Sequence, residues 1–322
     1  MGNKRLVAAV LLGALQLVVL VSLALAGPDD DPHAAPVRIV APPVVATTIV
    51  ERANDAAGHP LEARALTSDA EARASVTRGH SVASVVVDLR VESDVVYVAG
   101  ANGAELNRRV LHQVRTFEES FGRTVVVRDL VPVRDGDSGA RGVYVLVGIS
   151  VLLGFVGPVV ITWLRGPVAP TVRRGALRLV ITASGSLTVG LVVAGAAASY
   201  YDSGLAQWWI ISALTVMAIS TTTLALESLL GVVGIGVSTT VFVLAAAPLV
   251  RLTHPLLLPQ PWSAITPWLP HGAAIEAGRG SAYFGGAATR PLLTLGAWSL
   301  LAIMTLVVAR RERSRTSEVP SG

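Results

Sequence analysis

Apolar runs that are long enough to cross a lipid bilayer dominate this sequence and leave few folds open to it. A helix needs about 20 predominantly apolar residues to span the hydrocarbon core. Runs of about this length are Leu6 to Ala26, Val143 to Leu164, Leu177 to Ala198, Trp209 to Leu230, Val232 to Val250 and Leu292 to Ala309. Charged residues make up 15% of the chain, whereas soluble chains carry about 25%. The sequence therefore predicts a polytopic α-helical membrane protein with six transmembrane helices.

Arginine clusters predict how these helices are oriented, because loops on the cytoplasmic side are enriched in Lys and Arg. With a cytoplasmic N-terminus, the loop after the second span and the tail 310–322 face the cytoplasm. Both carry clusters, Arg165, Arg173, Arg174 and Arg178 in the loop and Arg310, Arg311, Arg313 and Arg315 in the tail. Segment 199–208, on the other side, has no basic residue. Both termini are thus predicted to be cytoplasmic in the plasma membrane, and the net charge of +4 reflects topology rather than nucleic-acid binding.

The first run, within residues 1–26, leaves two possibilities open. Ala24-Leu25-Ala26 has the A-x-A form of a signal-peptide cleavage site. The run is nevertheless longer than the usual apolar region of such a peptide, which has about 7–15 residues. We favour a retained transmembrane helix, with a cleaved signal peptide as the alternative.

Residues 27–142 predict an extracytoplasmic α/β domain between the first and second spans. Strands are expected at 37–40, 61–66, 82–89, 95–99 and 124–127, and helices at 45–57, 69–79 and 103–121. Alternation of strands and helices indicates a partly parallel sheet. The chain has no cysteine, so we expect residues 36–132 to fold as an independent domain on their apolar core alone.

Segment 251–291 is the most unusual part of the five-helix region 143–309, because prolines and aromatic residues interrupt it. Too many prolines are present for one spanning helix, since each removes a backbone donor and obstructs the preceding turn. One interpretation is a re-entrant segment of short helices, buried in protein or lining a cavity. The other is an exposed loop with aromatic anchors at the membrane–water interface. The candidate residues for a gate are Trp262, Trp268, Pro270, Arg279 and Tyr283.

Lys4 is the single lysine of the chain, and it excludes an ATPase of the P-loop type. That motif, G-x-x-x-x-G-K-[ST], needs its lysine after a glycine-rich loop, and only three residues precede Lys4. If the protein moves a compound with ATP, a separate chain supplies the ATPase.

Catalytic and metal-binding patterns are not found. The sequence has neither G-x-S-x-G nor H-E-x-x-H, and His254 and His271 lack metal-ligand spacing. Residues 135–139 do not have the frame of a calcium loop and are interpreted as a flexible junction into the second span. We predict no enzyme, no cofactor and no metal site.

Polar residues inside the spans allow two interpretations. The clusters Ser184–Thr188, Ser220–Thr223 and Ser238–Thr240 could line a polar path, but such residues more often pack helices or bond back to the backbone. Glu227 is a functional candidate because it is an intramembrane carboxylate. Its place near the cytoplasmic end of its helix favours a solvated, interfacial carboxylate.

Three passages resemble a known family. They are Val127 to Pro132 with Gly136-Asp137 before the second span, Leu258 to Gly272 with Arg279 and Tyr283 to Gly286 before the last span, and Ser68 to Ala72 with Val85 to Val87 in the insert. In this order they resemble the phage-infection-protein-like (Pip) branch of ABC-2 type transporter permeases, of the actinobacterial type. The likeness covers most of the chain.

The resemblance implies the permease subunit of an exporter, which works as a homodimer or heterodimer with a cytoplasmic ATPase subunit. It further implies that Arg165, Arg173 and Arg174 lie in the loop that contacts the ATPase. The compound moved outward would be hydrophobic or amphipathic. The alternative function is a non-transporting membrane scaffold or receptor, whose extracytoplasmic domain binds a secretion-system component or a phage.

Overall fold

The computed structural model describes residues 31–137, 139–166, 171–244, 254–286 and 289–317, together with Ala14, Gln16 and Val18. These residues form a sheet domain followed by a helical membrane body. The first apolar run lies outside the described residues apart from those three, which are helical. Neither a retained first helix nor a cleaved signal peptide is therefore tested.

The sheet domain contains the strands and helices predicted for residues 27–142, with shifted ends. They are β1 (Ala35–Val40), α1 (Pro43–Asn54), β2 (Leu61–Leu66), α2 (Asp69–Thr77), β3 (Ala83–Val86), β4 (Ser93–Val98), α3 (Ala104–Glu119) and β5 (Thr124–Asp129). The strand order is β2-β1-β3-β4-β5. All neighbours are parallel except β3 and β4, which are antiparallel. The prediction of an α/β domain with a partly parallel sheet is confirmed.

Local chemistry explains where two of these elements begin and end. Ser68 caps α2 by accepting a hydrogen bond from the Glu71 backbone N–H at 3.2 Å, as its capping-box spacing predicts. Strand β3 ends at Val86 rather than at residue 89, because the chain then turns back into the antiparallel β4. In that turn the Arg90 backbone N–H donates to Asp88 Oδ1 at 3.0 Å.

The core of the sheet domain is not closed by the domain alone. Its cluster of buried apolar residues joins β1, β3 and α3 through Val37, Val85 and Val110, and it also contains Leu257, which is fully buried. The His33 backbone N–H donates to the Leu256 carbonyl at 2.9 Å. The domain is therefore docked on the membrane body through residues that follow it by more than a hundred positions.

The membrane body contains α4 (Arg141–Arg165), α5 (Val172–Tyr201), α6 (Leu205–Leu230) and α10 (Thr289–Ser317). Within the described residues, four helices are long and apolar enough to cross a membrane, and they lie in these elements. The protein is therefore a membrane protein. Helix α10 continues to Ser317, past the predicted end at residue 309, and arginine and glutamate in this stretch are good helix formers.

The fifth predicted span, Val232 to Val250, is described only in part. Helix α7 (Val232–Ser238) continues as a π-helix over Thr239–Leu244, and residues 245–250 lie outside the described residues. Of the six predicted spans, four are therefore present as helices that are long and apolar enough to cross a membrane.

Helix α6 forms the centre of the membrane body. In the most apolar 18-residue stretch of α6, 72% of the residues are buried. The corresponding stretches of α4, α5 and α10 are 33%, 28% and 33% buried. Gly190, Ala194 and Ala198 are spaced four residues apart on α5, so these small residues share one face of the helix. A Cβ on Gly190 would lie 2.6 Å from the Ala213 backbone nitrogen, so α5 packs backbone against backbone on α6. The three outer helices leave large apolar side chains exposed, such as Leu152, Leu191 and Leu300.

The proline-rich segment, residues 254–286, folds into short helices, as its prolines predict. It contains 3-10 turns at Pro255–Leu257 and Thr266–Trp268, and the helices α8 (Trp262–Ile265) and α9 (Pro270–Tyr283). Most residues of α9 are buried. This excludes the interpretation as an exposed loop.

The two ends of helix α9 contact positions that lie far apart along α6. Near its end, a Cβ on Gly278 would lie 3.4 Å from the Trp208 ring, close to where α6 begins. Near its start, Ala273 packs with Ala218 and Leu295. Trp208 and Ala218 are separated by about 15 Å along α6, at 1.5 Å per residue. The start of α9 thus lies beside the middle of α6 (Leu205–Leu230).

Candidate functional site at the junction of the sheet domain and the membrane body

The structure separates the five gate candidates into two groups. Arg279 and Tyr283 lie at the junction of the sheet domain and the membrane body, and Trp262 packs against the apolar core of the body. Pro270 is buried as the first residue of α9. Trp268 is 60% exposed, and its carbonyl accepts a hydrogen bond from Trp298 Nε1 at 2.8 Å.

Arg279 ties α9 to the sheet domain. Its Nη2 donates to Asn102 Oδ1 at 2.7 Å and to the Ala101 carbonyl at 3.2 Å. Both acceptors lie in the 3-10 turn Gly100–Asn102, which follows β4. The side chain is buried, and burial lowers the pKa of Arg279. A guanidinium remains protonated in proteins all the same, so a positive charge is held at this junction.

His254 is held neutral beside Arg279. Its Nε2 lies within hydrogen-bond distance of Arg279 Nη1, and its Nδ1 lies 3.2 Å from the Leu256 backbone nitrogen. Burial, followed by the positive charge of Arg279, lowers the pKa of His254 well below its ordinary value. The histidine is therefore neutral beside the guanidinium.

Below the 3-10 turn lies a cavity of about 170 Å³. Both parts of the molecule line it. The sheet domain contributes Asn102 and the start of α3, and the membrane body contributes Arg141 and Tyr144 of α4 together with His254 and Arg279. The first turn of the spanning helix α4 thus faces the first turn of α3 across a polar space.

Asp137 forms a second link at the same junction and corrects the expectation of a flexible segment at residues 135–139. It is 3% exposed. Oδ1 accepts from the Gly142 backbone N–H at 2.8 Å, and Oδ2 accepts from the Tyr201 hydroxyl at 3.0 Å and from the Tyr283 hydroxyl. Ser138 lies outside the described residues. One carboxylate thereby joins the start of α4, the end of α5 and the end of α9.

The aromatic rings around Asp137 pack on one another. Tyr201 stacks on Trp208 with the ring centroids 5.6 Å apart, and Tyr283 meets Tyr201 edge to face at 5.5 Å. Burial, followed by Asp137, raises the pKa of Tyr283. Its hydroxyl therefore stays protonated and acts as the donor.

Glu227 is buried, which corrects the expectation of a solvated carboxylate. Its side chain is fully buried, and Oε2 accepts a hydrogen bond from Thr162 Oγ1 of α4. Arg178, expected in the arginine-rich loop, is itself buried inside α5 and donates to the Arg165 carbonyl at 2.9 Å. Packing of α4 against α6 encloses the Glu227 carboxylate. The position of Glu227 along α6 does not reveal this packing.

Most hydroxyls in the serine and threonine clusters bond back to their own helix, as expected. Ser186 donates to the Thr182 carbonyl at 2.8 Å and Thr240 to that of Gly236 at 3.0 Å. Ser220 is an exception and donates to the Gly154 carbonyl of α4 at 2.8 Å. Several buried polar atoms have no hydrogen-bond partner among the described residues, namely Thr222 Oγ1, Thr223 Oγ1, Glu227 Oε1 and both ring nitrogens of His271.

The candidate arginines between α4 and α5 lie on the surface. Arg165, Arg173 and Arg174 are all exposed, and residues 167–170 between them lie outside the described residues. Among the residues that the structure describes, no cluster of three or more potential metal ligands occurs.

Comparison with known proteins gives no relative. No protein-family model, no curated protein and no solved structure matches the chain. The function is accordingly inferred from the geometry of the chain itself.

Sequence patterns did not identify Tyr144, Tyr201 and Arg141 as candidate site residues. They placed Asp137 in a flexible junction, whereas it is a buried hydrogen-bond acceptor. The tyrosines lie inside or at the end of apolar runs, where a single polar hydroxyl leaves the hydropathy unchanged. Gly142, at the start of α4, was the one sequence signal for the role of Asp137, which accepts a hydrogen bond from its backbone N–H. A Cβ on Gly142 would collide with the Tyr201 hydroxyl, so that glycine marks a close approach of two chain segments.

Proposed function

We propose that this chain is the membrane permease subunit of an exporter of the ABC-2-like class, moving a hydrophobic or amphipathic compound outward. Helix α9 is the observation that supports this function best. Irregular backbone at membrane depth is tolerated where it is buried in protein or lines a cavity. A short helix that enters from the side of the sheet domain and turns back halfway suits a gate at one end of a transport path.

Polar groups inside the body support the same proposal. The unpartnered atoms of Thr222, Thr223 and Glu227 lie on the central helix, and His271 lies at the start of α9. Intramembrane ionisable groups commonly mark a path for substrate or ions. We therefore place the route along α6, between Glu227 and the re-entrant helix.

The ATPase of this exporter is a separate chain that docks on the loop between α4 and α5. Purification of the tagged full chain from its own membranes is expected to bring down a nucleotide-hydrolysing subunit and ATPase activity. Replacing Arg165, Arg173 and Arg174 by Gln should abolish that association. The matched control replaces Arg310, Arg311 and Arg313 by Gln, which removes the same charge and should preserve it. A purified chain that carries no ATPase activity in any form would contradict the proposal.

The proposed orientation has six spans, both termini in the cytoplasm and the sheet domain outside. Reporter fusions at Gly322 and within the sheet domain at Gly103 test it. We expect a cytoplasmic signal at Gly322 and an extracytoplasmic one at Gly103. A cytoplasmic signal at Gly103 would overturn the orientation.

The end of the sheet domain that lies away from the membrane body favours a second candidate, a scaffold or receptor. Leu89, Val91 and Phe121 are 56%, 49% and 42% exposed. The turns that carry them are joined by Arg123, which donates to the Val91 carbonyl at 2.9 Å. Exposed apolar residues grouped in this way mark protein interaction sites. If Leu89→Ser with Val91→Ser removes a partner while export continues, the chain has both functions; if export never occurs, only the second remains.

A further inference from the structure

We propose that the cavity between the sheet domain and the membrane body binds a phosphate group, carried either by a lipid headgroup or by free phosphate. This inference does not depend on whether the chain transports a compound. It rests on the charge of the lining, on the donors that face the cavity and on its size and position.

The lining carries an excess of positive charge. Arg108, Arg141 and Arg279 line the cavity, and Glu105 is the one acidic residue among the lining residues. Glu105 is already engaged, because Oε2 lies 3.0 Å from Arg108 Nη1 and Oε1 lies 2.7 Å from Arg109 Nε. In the part of the chain that the structure describes, neither Arg141 nor Arg279 forms an ion pair with a carboxylate. A buried guanidinium without an anion is costly, and an anion in the cavity would compensate it.

Hydrogen-bond donors converge on the same space. The N-cap of α3, Gly103, has no side chain to bond the first N–H groups of the helix, and the residues of that first turn, Ala104 to Leu106, line the cavity. A helix N-terminus offers such groups and a partial positive charge to an anion. Guanidinium groups match the geometry of phosphate oxygens as well.

Tyr144 adds a further hydrogen-bond donor at the cavity. It lines the cavity and is only 8% exposed. Its hydroxyl makes no hydrogen bond to a described residue, although it lies near enough to Arg279 for the two to interact electrostatically. The hydroxyl is not among the fully buried polar atoms that lack a partner, so it opens onto the cavity. There it can donate a hydrogen bond to a phosphate oxygen.

Size and position favour a small anion near the membrane surface. The cavity volume of about 170 Å³ is below the 300–1,000 Å³ that is usual for drug-sized ligands. Arg141 is the first residue of a candidate span, so the cavity lies at the level of lipid headgroups. A phosphate there would bridge the membrane body and the sheet domain.

Thermal unfolding of the full chain in a neutral detergent tests the proposal. Sodium phosphate is titrated against sodium chloride at equal ionic strength, because binding to the folded state stabilises it by RT ln(1 + c/Kd), where c is the phosphate concentration. For the wild-type chain we expect Tm to rise with the logarithm of the phosphate concentration above Kd. For Tyr144→Phe and Arg141→Gln, the phosphate concentration that gives the same rise in Tm should be at least tenfold higher. Tyr144→Phe removes one hydroxyl, and Arg141 is exposed, so both chains should fold.

The matched control is Arg115→Gln, which removes the same charge from an exposed position on α3 that does not line the cavity. It should respond to phosphate like the wild-type chain. A rise that is absent, that sodium chloride reproduces at the same ionic strength or that is equal in all four proteins would overturn the proposal.

Nanodiscs distinguish the two sources of the phosphate group. If the headgroup of an anionic lipid occupies the cavity, discs of phosphatidylglycerol raise Tm above discs of phosphatidylcholine and abolish the response to added phosphate. If free phosphate is the ligand, the response persists in both discs. In either case Tyr144→Phe must weaken the effect, and an undiminished effect in that variant contradicts the site.

Discussion

At the scale of single residues, buried charged groups hold the two parts of this protein together. Asp137 accepts hydrogen bonds from three elements of the membrane body, and Arg279 donates to the sheet domain. Such bonds are worth more than exposed ones, since removal of one partner leaves the other buried and unsatisfied. The junction should therefore respond strongly to changes that alter a few atoms.

Asp137→Asn should weaken the junction. The amide removes the negative charge and presents donors to the Tyr201 and Tyr283 hydroxyls, so we expect a loss of about 1–3 kcal/mol in the free energy of unfolding. Chemical denaturation in detergent, followed by tryptophan fluorescence, measures it. The control is Asp135→Asn in the same loop, where the side chain is exposed and little change is expected. Equal effects from the two substitutions would show that Asp137 has no special role.

Glu118 should make the sheet domain sensitive to pH. Burial, followed by the hydrogen bond to Asp94 and its charge, raises the pKa of Glu118 to about 8 from an ordinary value of 4.5, against the opposing effect of Arg123. The folded state thus holds a proton that the unfolded state releases between these two values. Stability contributed by this group is therefore present below the lower value and is lost as pH rises through about 8.

Hydrogen exchange of the full chain checks this prediction, with Glu118→Gln compared with the wild type at each pH. Gln resembles the protonated acid, so amides of β4 and α3 should exchange alike in the two proteins at pH 5. At pH 9 they should exchange faster in the wild type. Glu119→Gln, at the exposed neighbouring position, should follow the wild type throughout. A constant ratio of exchange rates between Glu118→Gln and wild type from pH 5 to pH 9 would refute the prediction.

At the scale of elements, the sequence predicted the helices and strands that have a clear apolar pattern. It did not predict contacts between residues that lie far apart in the chain. The five strands and three helices of the sheet domain followed from apolar runs, glycines and the Ser68 cap. Glu227 was misjudged because position along α6 says nothing of Thr162, which lies 65 residues earlier. Asp137 was misjudged for the same reason, since its partners Tyr201 and Tyr283 lie 64 and 146 residues away.

The 3-10 turn Pro255–Leu257 completes the core of the sheet domain, although it belongs to the proline-rich segment. Leu257→Ala should lower the stability of the docked domain by about 2–5 kcal/mol, as is typical for a buried leucine. Amide exchange of β1 and α3 in the full chain measures the loss. Ile265→Ala, in the same segment but 43% exposed, is the control and should cause a smaller change. Similar protection in Leu257→Ala and wild type would show that the turn contributes nothing to that core.

Independent folding of residues 36–132 remains a prediction, and the structure adds a condition to it. Leu257 joins the main apolar cluster of the domain, and Phe284 packs on the smaller one. A fragment without these two residues should keep its secondary structure, since the strands supply most of the core. It should expose the apolar surface that the proline-rich segment covers in the full chain.

At the scale of the whole molecule, the proline-rich segment joins the two halves. It covers the core of the sheet domain with Leu257, places Arg279 under the 3-10 turn and inserts the start of α9 beside the middle of α6. A movement of α9 would therefore change its contacts with the sheet domain, and binding at the sheet domain would change the same contacts. The proposed gate and the proposed phosphate site share this one segment.

Cross-linking of α9 to the middle of α6 tests the account most directly, and the absence of native cysteine makes it clean. Cysteines at Ala218 and Ala273, which pack in one buried cluster, should be joined by a short thiol cross-linker and found by mass spectrometry. Cysteines at Leu230 and Ala273 form the control pair, because Leu230 lies about 18 Å further along α6, and they should not be joined. A re-entrant α9 predicts a link between 218 and 273 and slow labelling of position 273 by a membrane-impermeant thiol reagent. No link, together with rapid labelling at 273, would contradict it.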